Sequence, residues 1–307
     1  MYWLSFAEYC RERFGRRLYR AALDAHMTCP NRDGRISYGG CLFCSGSGSG
    51  EFAVSYNGQK LTRDDLLYNR QEVPDGDFIA YFQAYTNTYD SPDRLFRLFD
   101  SALADPLFAG ISIATRPDCI PEEVMQVLIT LKERYPGKFI WIELGLQTVH
   151  ERTTRMIRRG YPLEVYDGCV KRLHENGFEV ITHMIIGLPG ETKEDILATA
   201  AHLNSVRTEG VKMHLLYYTD DSDLGKLYMQ APDDFHVLTK EEYVDILTEC
   251  IAVLDPDIVL HRMTGDGDGE HLLAPLWSKD KRSVLNAVRH MMKVKGYVQG
   301  CRANEYI

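Results

Sequence analysis

Short apolar segments of strand length alternate with amphipathic segments of helical length over most of this sequence. The strand-like segments are residues 21–26, 78–84, 110–114, 139–147, 178–186 and 211–217. The helix-like segments are residues 92–104, 121–134, 163–176 and 192–207. This alternation predicts an α/β fold with a parallel sheet, because a helix between two strands forms a right-handed crossover that lets both strands run in the same direction.

The six predicted strands are too few to close an eight-stranded barrel, so we expect a partial (β/α)6 TIM-like barrel. Functional groups of such a barrel lie at the C-terminal ends of its strands. We place the barrel at residues 21–225, between a basic helical extension at 1–20 and a helical C-terminal extension at 226–307. A doubly wound open sheet is the alternative, but no GxGxxG follows a predicted strand, which argues against a Rossmann dinucleotide site.

Cys29, Cys41 and Cys44 follow the first predicted strand, with eleven and then two residues between them. A structural zinc site normally takes four protein ligands, whereas three thiolates can hold three irons of a [4Fe–4S] cluster and leave the fourth iron open. Phe43 would supply an apolar wall beside that cluster. Two alternatives stay open: a zinc site completed by a distant ligand such as His26, and unrelated buried thiols.

The other cysteines are scattered singly, which argues against a second cluster; they are Cys10, Cys119, Cys169, Cys250 and Cys301. The eight cysteines come without an export signal, which predicts a reducing cytoplasm and metal chemistry rather than disulfides. No run approaches 18 apolar residues, so we expect a soluble protein without a membrane partner.

Several polar residues fall where strand ends are expected. Glu143 and Gln147 lie on one face of the fourth strand, and such side chains inside a barrel need a partner or a ligand. They would either grip a ribose or an amino acid moiety or satisfy each other. His183 lies within the fifth strand, where it would be either a hydrogen-bonded core residue or a contact of the cofactor.

The three cysteines with Phe43 and three later motifs together resemble the radical S-adenosylmethionine (SAM) superfamily. The later motifs are TRPD (115–118), ELGLQT (143–148) and HMIIGLPGET (183–192). Within the superfamily they are similar to the branch of the elongator catalytic subunit and the oxygen-independent coproporphyrinogen oxidases. The segments DAHMTCPNRDG (24–34) and HRMTGDGDGEHLLAPLWS (261–278) make the chain more similar still to the bacterial radical SAM proteins of the YtqA/YhcC type.

The resemblance implies that Cys29, Cys41 and Cys44 ligate a [4Fe–4S] cluster whose open iron chelates SAM. It implies further cofactor contacts, which in this sequence fall at Phe43, Gln83, Arg116, Glu143, Gln147, His183, Gly187 and Pro189. Gln83 stands where many relatives carry a GGE-like turn, and Arg116 could contact the carboxylate of SAM or a substrate phosphate.

The resemblance also implies reductive cleavage of SAM to a 5′-deoxyadenosyl radical, with an electron donor such as flavodoxin or ferredoxin. The elongator branch points to the wobble uridine of tRNA, with a carboxymethylaminomethyl side chain converted to aminomethyl. Trp277, Tyr297 and His261 could then stack on a base, and two basic clusters could contact phosphates. The clusters are Arg11, Arg13, Arg16, Arg17 and Arg20, and Lys279, Lys281, Arg282, Arg289, Lys293, Lys295 and Arg302.

The net charge of −9 argues against sequence-blind nucleic-acid binding. It favours a second hypothesis, a radical SAM oxidoreductase acting on a small metabolite in the manner of the porphyrin-precursor oxidases. A third hypothesis is a zinc-bound RNA-binding module without enzymatic activity. This hypothesis does not explain the motifs of the fourth and fifth predicted strands.

Overall fold

The computed structural model of the protein describes residues 2–46, 48, 53–66, 76–265 and 270–306. Its strands are β1 (Leu18–Asp24), β2 (Val54–Ser55), β3 (Asp77–Phe82), β4 (Phe108–Thr115), β5 (Phe139–Gln147), β6 (Glu179–Ile186), β7 (Gly210–Leu215), β8 (Tyr218–Thr219), β9 (Val259–Arg262) and β10 (Leu272–Ala274). Eight of them form one curved parallel sheet in the order β2-β1-β3-β4-β5-β6-β7-β9. The short strands β8 and β10 pair antiparallel beside it.

The described helices are α1 (Phe6–Phe14), α2 (Pro92–Ala104), α3 (Glu122–Arg134), α4 (Glu151–Met156), α5 (Leu163–Glu175), α6 (Lys193–Val206), α7 (Asp223–Gln230), α8 (Lys240–Val253) and α9 (Lys281–Lys295). Short 3-10 turns lie at Asp64–Leu66, Pro117–Cys119, Pro232–Asp234, Leu276–Lys279 and Ala303–Tyr306. Within the described ranges, no helix is long and apolar enough to cross a membrane.

The curved parallel sheet confirms the predicted α/β partial barrel. Two edge strands were not expected: β2 beside β1, and β9 beside β7. Strand β1 begins at Leu18 rather than at residue 21, and β9 lies between residues 226 and 307. Both predicted extensions therefore contribute residues to the sheet.

Several of the helices start at capping residues or a proline that can be recognised in the sequence. Capping boxes, in which a threonine or serine side chain and an acid three residues later satisfy the first free N–H groups, start α1, α6 and α8. Helix α2 begins with Pro92 at its first position after the capping side chain of Ser91. At α2 and α6, predicted to start at residues 92 and 192, these signals explain the agreement with the observed starts at Pro92 and Lys193.

Helix α1 closes the N-terminal end of the barrel. The Phe14 ring lies 5.2 Å from Phe139 at the start of β5, and the Phe6 ring lies 6.1 Å from Trp141. The buried apolar floor beneath comprises Cys10, Leu18, Ile79, Trp141 and Ile181. Because the strands are parallel, α1 and its arginines lie at the end of the barrel opposite the C-terminal strand ends.

A polar layer lies inside the barrel above this floor. Parallel pairing brings Gly145, His183, Lys212 and Arg262 into one row across β5, β6, β7 and β9. Tyr81 and Ser112 are neighbours in a second row, across β3 and β4. The interior thus changes from apolar at the floor to charged at mid-height, which is the arrangement expected beneath a polar binding site.

Candidate active site

One cavity of about 360 Å³ opens at the C-terminal ends of the strands. This volume falls within the usual range for small-molecule and cofactor sites. The loop after β1 lines one part of it, and residues that end or follow β3, β4, β5, β6, β7 and β9 line the rest. The cavity is therefore where the barrel fold predicts a functional site.

All three predicted cluster ligands line this cavity: Cys29, Cys41 and Cys44. The Asn31 side-chain amide donates to the Cys41 Sγ at 3.4 Å, and the Arg32 guanidinium donates to the Cys44 Sγ at 3.8 Å. Burial raises the pKa of the Cys44 thiol to about 12, and a bound metal cation would favour its thiolate form. Three thiols with N–H donors directed at two of the sulfurs fit an iron–sulfur cluster.

The residue considered as a fourth zinc ligand, His26, is exposed and bonds elsewhere. Its Nε2 lies 2.7 Å from the Ser55 hydroxyl, and His26 is outside the cavity lining. Across the described part of the chain, no three His, Cys, Asp or Glu side chains gather closely enough to hold one metal ion. The three thiols line the same cavity but are not arranged around a common position where they could bind one metal ion.

An acidic segment after β8 holds the cysteine loop in place. The Gly46 N–H donates to the Asp221 carboxylate at 2.7 Å, and the Leu224 N–H donates to the Leu42 carbonyl at 2.8 Å. Arg158 pairs with Asp223 at 2.7 Å. The acidic residues Asp221 and Asp223 therefore help to fasten the loop that carries the cysteines and the segment beside it.

Gln83 lines the cavity at the start of an unusual turn. The next two residues, Ala84 and Tyr85, have positive φ values of 71° and 58°. Such backbone is uncommon outside glycine and marks a functional constraint. The cofactor contact that the resemblance implies at Gln83 therefore falls beside two non-glycine residues with left-handed backbone.

Glu143 lines the cavity but is saturated by protein contacts. Its Oε1 accepts from the Ser112 hydroxyl at 2.6 Å, and its Oε2 lies 2.6 Å from His183 Nε2 and also accepts from the Lys212 ammonium. Burial raises the pKa of Glu143, but Lys212 and His183 outweigh it and hold the pKa well below the usual range. Glu143 is thus an ionised anchor of the polar layer, which leaves His183 to present its ring at the cavity wall.

Gln147 lies at a bulge near the end of β5, with φ at 61°. The Tyr161 hydroxyl is 3.5 Å from the Gln147 Oε1 and donates a shorter bond to the Gly145 carbonyl. The bulge keeps Gln147 on the cavity side together with Gly145. Of the two contacts predicted on what proves to be β5, Glu143 and Gln147, only Gln147 has a side chain that retains donors for a ligand.

Arg116 also lines the cavity, but Asp118 engages its guanidinium. Its Nε and Nη2 donate to the two oxygens of Asp118 at 2.9 and 2.7 Å, and its Nη1 donates to the Arg159 carbonyl at 2.9 Å. The guanidinium of Arg116 therefore has few N–H donors left for the predicted contact with SAM or a phosphate. Its clearest role is to fasten the TRPD turn to the loop after α4.

Gly187 and Pro189, which the resemblance gave as cofactor contacts, are not part of the cavity lining. Gly187 has a φ of 94°, and a Cβ there would lie 3.0 Å from the Leu238 side chain. A glycine is therefore favoured at position 187 because the chain makes a tight turn there, packed against the segment before α8. Phe43, by contrast, lines the cavity as expected and packs against the apolar cluster around Ile185 and Leu216.

The three aromatic residues expected to stack on a base lie elsewhere. Trp277 donates to the Leu238 carbonyl at 2.9 Å and packs 5.4 Å from the Tyr243 ring. His261 lies at the barrel floor, 4.9 Å from Phe6, and Tyr297 is half-buried between Lys295 and Arg302. The base-stacking prediction was wrong for the first two because both are packing residues. Residues 266–269 of the segment containing His261 and Trp277 lie outside the described residues.

The barrel interior holds three cationic or ionisable residues that were not predicted from the sequence: Lys212, His214 and Arg262. Lys212 and His214 alternate in VKMHLLY, so they share the inner face of β7, and this spacing was a usable signal. Arg262 belongs to β9, which was not predicted. Burial lowers the pKa of Lys212 to about 7, opposed by Glu143 and reinforced by Arg20 and Arg262.

Comparison with known proteins places these features in a family. The Radical SAM superfamily model matches residues 29–203, and the Radical_SAM C-terminal domain model matches residues 208–294. The chain is 39% identical over 292 residues to the uncharacterized protein YtqA of Bacillus subtilis (strain 168), covering 94% of this chain and 89% of YtqA. It is 31% identical to protein YhcC of Escherichia coli (strain K12), covering 88% of this chain and 85% of YhcC.

Among solved structures, the fold is similar to that of Elp3 from the archaeon Methanocaldococcus infernus, with a TM-score of 0.66 and 15% identity. The match covers 93% of this chain and 65% of the Elp3 chain, so this chain spans less than two thirds of that structure. At this identity the likeness concerns the fold alone. These matches confirm the family resemblance inferred from the sequence motifs.

Proposed function

The chain belongs to the radical SAM superfamily, and we propose that it modifies the wobble uridine of tRNA, converting a carboxymethylaminomethyl side chain to aminomethyl. The supporting observation is the single cavity that three cysteine thiols and Gln147 share at the C-terminal strand ends. A [4Fe–4S] cluster and SAM are the cofactors of this radical SAM enzyme. When bound, they supply the 5′-deoxyadenosyl radical that abstracts a hydrogen atom from the substrate.

We assign the remaining tasks to residues of this chain. Cys29, Cys41 and Cys44 would hold the cluster, with Asn31 and Arg32 donating to two of the sulfurs. Phe43 would keep water from the cluster. The turn at Gln83 and the amide of Gln147 would orient SAM, because both residues line the cavity, one after β3 and the other at the end of β5.

Replacing Gln147 with alanine should weaken SAM binding roughly tenfold, the effect of losing one or two hydrogen bonds to a ligand. Iron content should not change, because Gln147 is far from the cysteines in sequence and does not bond to them. Equilibrium dialysis of SAM against the reconstituted protein measures the change. Gln126→Ala, on the exposed face of α3, is the matched control, and equal SAM affinity in both variants would remove Gln147 from the SAM site.

The charge distribution bears on tRNA binding. Arg13 pairs with Glu179, Arg16 pairs with Asp77 at 2.7 Å, and both lie at the closed end of the barrel. At the start of α9, in contrast, Lys281 is close enough to Arg262 of the cavity wall for their charges to interact. We therefore assign phosphate contacts to the start of α9 rather than to the N-terminal arginines.

Replacing Lys281 and Arg282 together with glutamine should weaken tRNA binding and reduce the slope of log affinity against log salt by about 1–2. Replacing Arg16 and Arg17 in the same way removes equal charge at the opposite end and should leave both quantities unchanged. Filter binding over a range of salt concentrations measures the slope. A larger effect from Arg16 and Arg17 would place the RNA at the closed end.

The decisive experiment measures 5′-deoxyadenosine formed by anaerobically reconstituted protein with SAM and reductant, with and without undermodified tRNA. The proposal expects strong stimulation by tRNA together with a mass change at the wobble nucleoside. The second candidate, oxidation of a small metabolite, is favoured by the net charge of −9. If 5′-deoxyadenosine formation does not respond to tRNA but is stimulated by a metabolite fraction, the small-metabolite candidate is supported instead.

A further inference from the structure

We propose that His183 is the proton acceptor of this cavity, and that it takes a proton from an amine of the substrate. The inference rests on the proposed function, because the carboxymethylaminomethyl group contains a secondary amine. In the proposed step an N–H bond of the substrate ammonium breaks and an N–H bond forms at His183 Nδ1. The electron pair of the broken bond stays on the substrate nitrogen, so the step needs no oxidant or reductant.

Glu143 fixes the orientation and the tautomer of the His183 ring. The His183 Nε2 lies 2.6 Å from the Glu143 Oε2, and the Glu143 carboxylate is ionised. An ionised carboxylate only accepts hydrogen bonds, so the proton of the neutral imidazole is on Nε2. The lone pair is then on Nδ1. A carboxylate that orients a histidine in this way is a common feature of histidine bases.

The other ring nitrogen of His183 is open to the cavity. His183 lines the cavity, and its side chain is 19% exposed. In the described part of the chain, its Nδ1 has no hydrogen-bond partner and is not one of the buried polar atoms. The ring is thus bonded on its carboxylate side and accessible on the other. A substrate nitrogen within hydrogen-bond distance of Nδ1 can transfer its proton there.

The surrounding charges keep the His183 ring neutral and ready to accept a proton. Burial lowers the pKa of His183, the bond to Glu143 opposes this, and the charges of Lys212 and Arg262 lower the pKa further. The net result is a pKa below the usual value, so the ring is unprotonated at neutral pH. The titratable and charged groups that act on it are Glu143 on β5, Lys212 and His214 on β7, and His261 and Arg262 on β9.

The cavity lining also makes a bound ammonium easier to deprotonate. The described lining contains more arginines than carboxylates, namely Arg32, Arg116, Arg159 and Arg262 against Glu143 and Asp221. Positive neighbours lower the pKa of an ammonium group. A proton on His183, in contrast, is next to the Glu143 carboxylate. These charges reduce the difference in proton affinity between the substrate amine and the histidine.

Deprotonation prepares the substrate for loss of a hydrogen atom. The lone pair of a neutral amine stabilises a radical on the adjacent carbon, whereas an ammonium has no lone pair to share. An alkyl ammonium such as that of lysine has a pKa of about 10.4 and is protonated at neutral pH. A base beside the amine is therefore required for fast reaction at neutral pH, and His183 is placed to supply it.

The first test compares the pH dependence of product formation by the wild-type holoprotein and by His183→Gln, with undermodified tRNA. The glutamine amide can still donate to Glu143, but it cannot accept a proton. We expect the variant to be at least about 100-fold slower at about pH 7, the usual contribution of a general base. Its rate should then rise about tenfold per pH unit, as the neutral fraction of the substrate amine does, while the wild-type rate changes little.

His202→Gln is the matched control for this comparison. The His202 side chain is also 19% exposed and lies 2.7 Å from a carboxylate, that of Asp167, but it is outside the cavity lining. Its pH profile should match that of the wild type, and SAM affinity should be equal in all three proteins. An unchanged rate in His183→Gln would overturn the proposal. An equal loss at every pH, or a loss of SAM affinity, would also overturn it, because His183 would then have a structural or cofactor-binding role.

A second measurement does not depend on tRNA. Two-dimensional NMR that correlates ring protons with ring nitrogens identifies the tautomer of His183, whose signal is the one missing from His183→Gln. We expect a neutral ring with its proton on Nε2 at about pH 7. A charged ring, or a proton on Nδ1, would overturn the base even if tRNA proves to be the substrate. The expected tautomer without any product from tRNA would support the base and remove the tRNA proposal.

Discussion

Replacing Cys41 with alanine is expected to reduce bound iron and acid-labile sulfide to background and to abolish SAM cleavage. Cys41 is one of three thiols in the cavity wall, and a cluster with a single open iron needs all three. The Cys41 Sγ also accepts a hydrogen bond from Asn31, whose amide donates in addition to the Arg158 and Arg159 carbonyls. Removing the sulfur therefore removes a ligand that the surrounding loop is built to hold.

Iron analysis, the visible absorbance of the cluster and 5′-deoxyadenosine formation measure the result. Cys301→Ala is a matched control, because Cys301 is exposed and lies outside the cavity lining. Cys119→Ala is a second control, a buried thiol close to the TRPD turn that does not line the cavity. SAM cleavage that survives in Cys41→Ala, or iron lost equally in the controls, would contradict the assignment of the cluster ligands.

The barrel could be predicted from sequence because its signal is local and repeated. Each strand–helix unit carries its own apolar run and often its own cap, so the segments from 78 to 207 agree closely with the observed elements. The two edge strands were missed for a related reason. Val54–Ser55 and Val259–Arg262 are too short to show a periodic pattern.

Site residues that belong to a sequence motif could be predicted. Contacts between residues far apart in the sequence could not. The cysteines and Gln147 were identified from spacing and resemblance, and all line the cavity. The ion pair of Glu143 with Lys212 joins residues 69 positions apart, and it depends on the register of three strands. Gly187 and Pro189 also came from a motif, but they lie outside the cavity lining, and Gly187 adopts a positive φ in a tight turn.

Replacing Glu143 with glutamine is expected to lower the free energy of unfolding by about 3–5 kcal/mol, the usual effect of leaving a buried charge without its partner. Glu143 is 1% exposed and Lys212 is 2% exposed, so water cannot replace the lost carboxylate. Lys212→Met alone leaves the Glu143 charge in place and should also destabilise the protein. The double variant should recover much of the loss, because it removes both buried charges together.

The pH dependence of Glu143→Gln follows from Lys212. Burial already lowers the pKa of Lys212 from 10.5 to about 7, and loss of Glu143 removes the main contact that supports its charged form. The unfolded chain then binds more protons than the folded one above the folded pKa, so stability rises with pH. Urea unfolding at about pH 6 and about pH 9 should show the smaller loss at the higher pH.

Iron content and SAM affinity separate this structural role from the ligand role that the sequence predicted. If Glu143 anchors the polar layer, Glu143→Gln loses stability, while Glu143→Gln/Lys212→Met regains stability and binds SAM in proportion to the folded fraction. If Glu143 instead grips SAM, both variants keep near-normal unfolding curves and lose SAM affinity alike. The protein contacts on both oxygens, from Ser112, His183 and Lys212, favour the first outcome, since a carboxylate so engaged cannot turn toward a cofactor without leaving an ammonium buried alone.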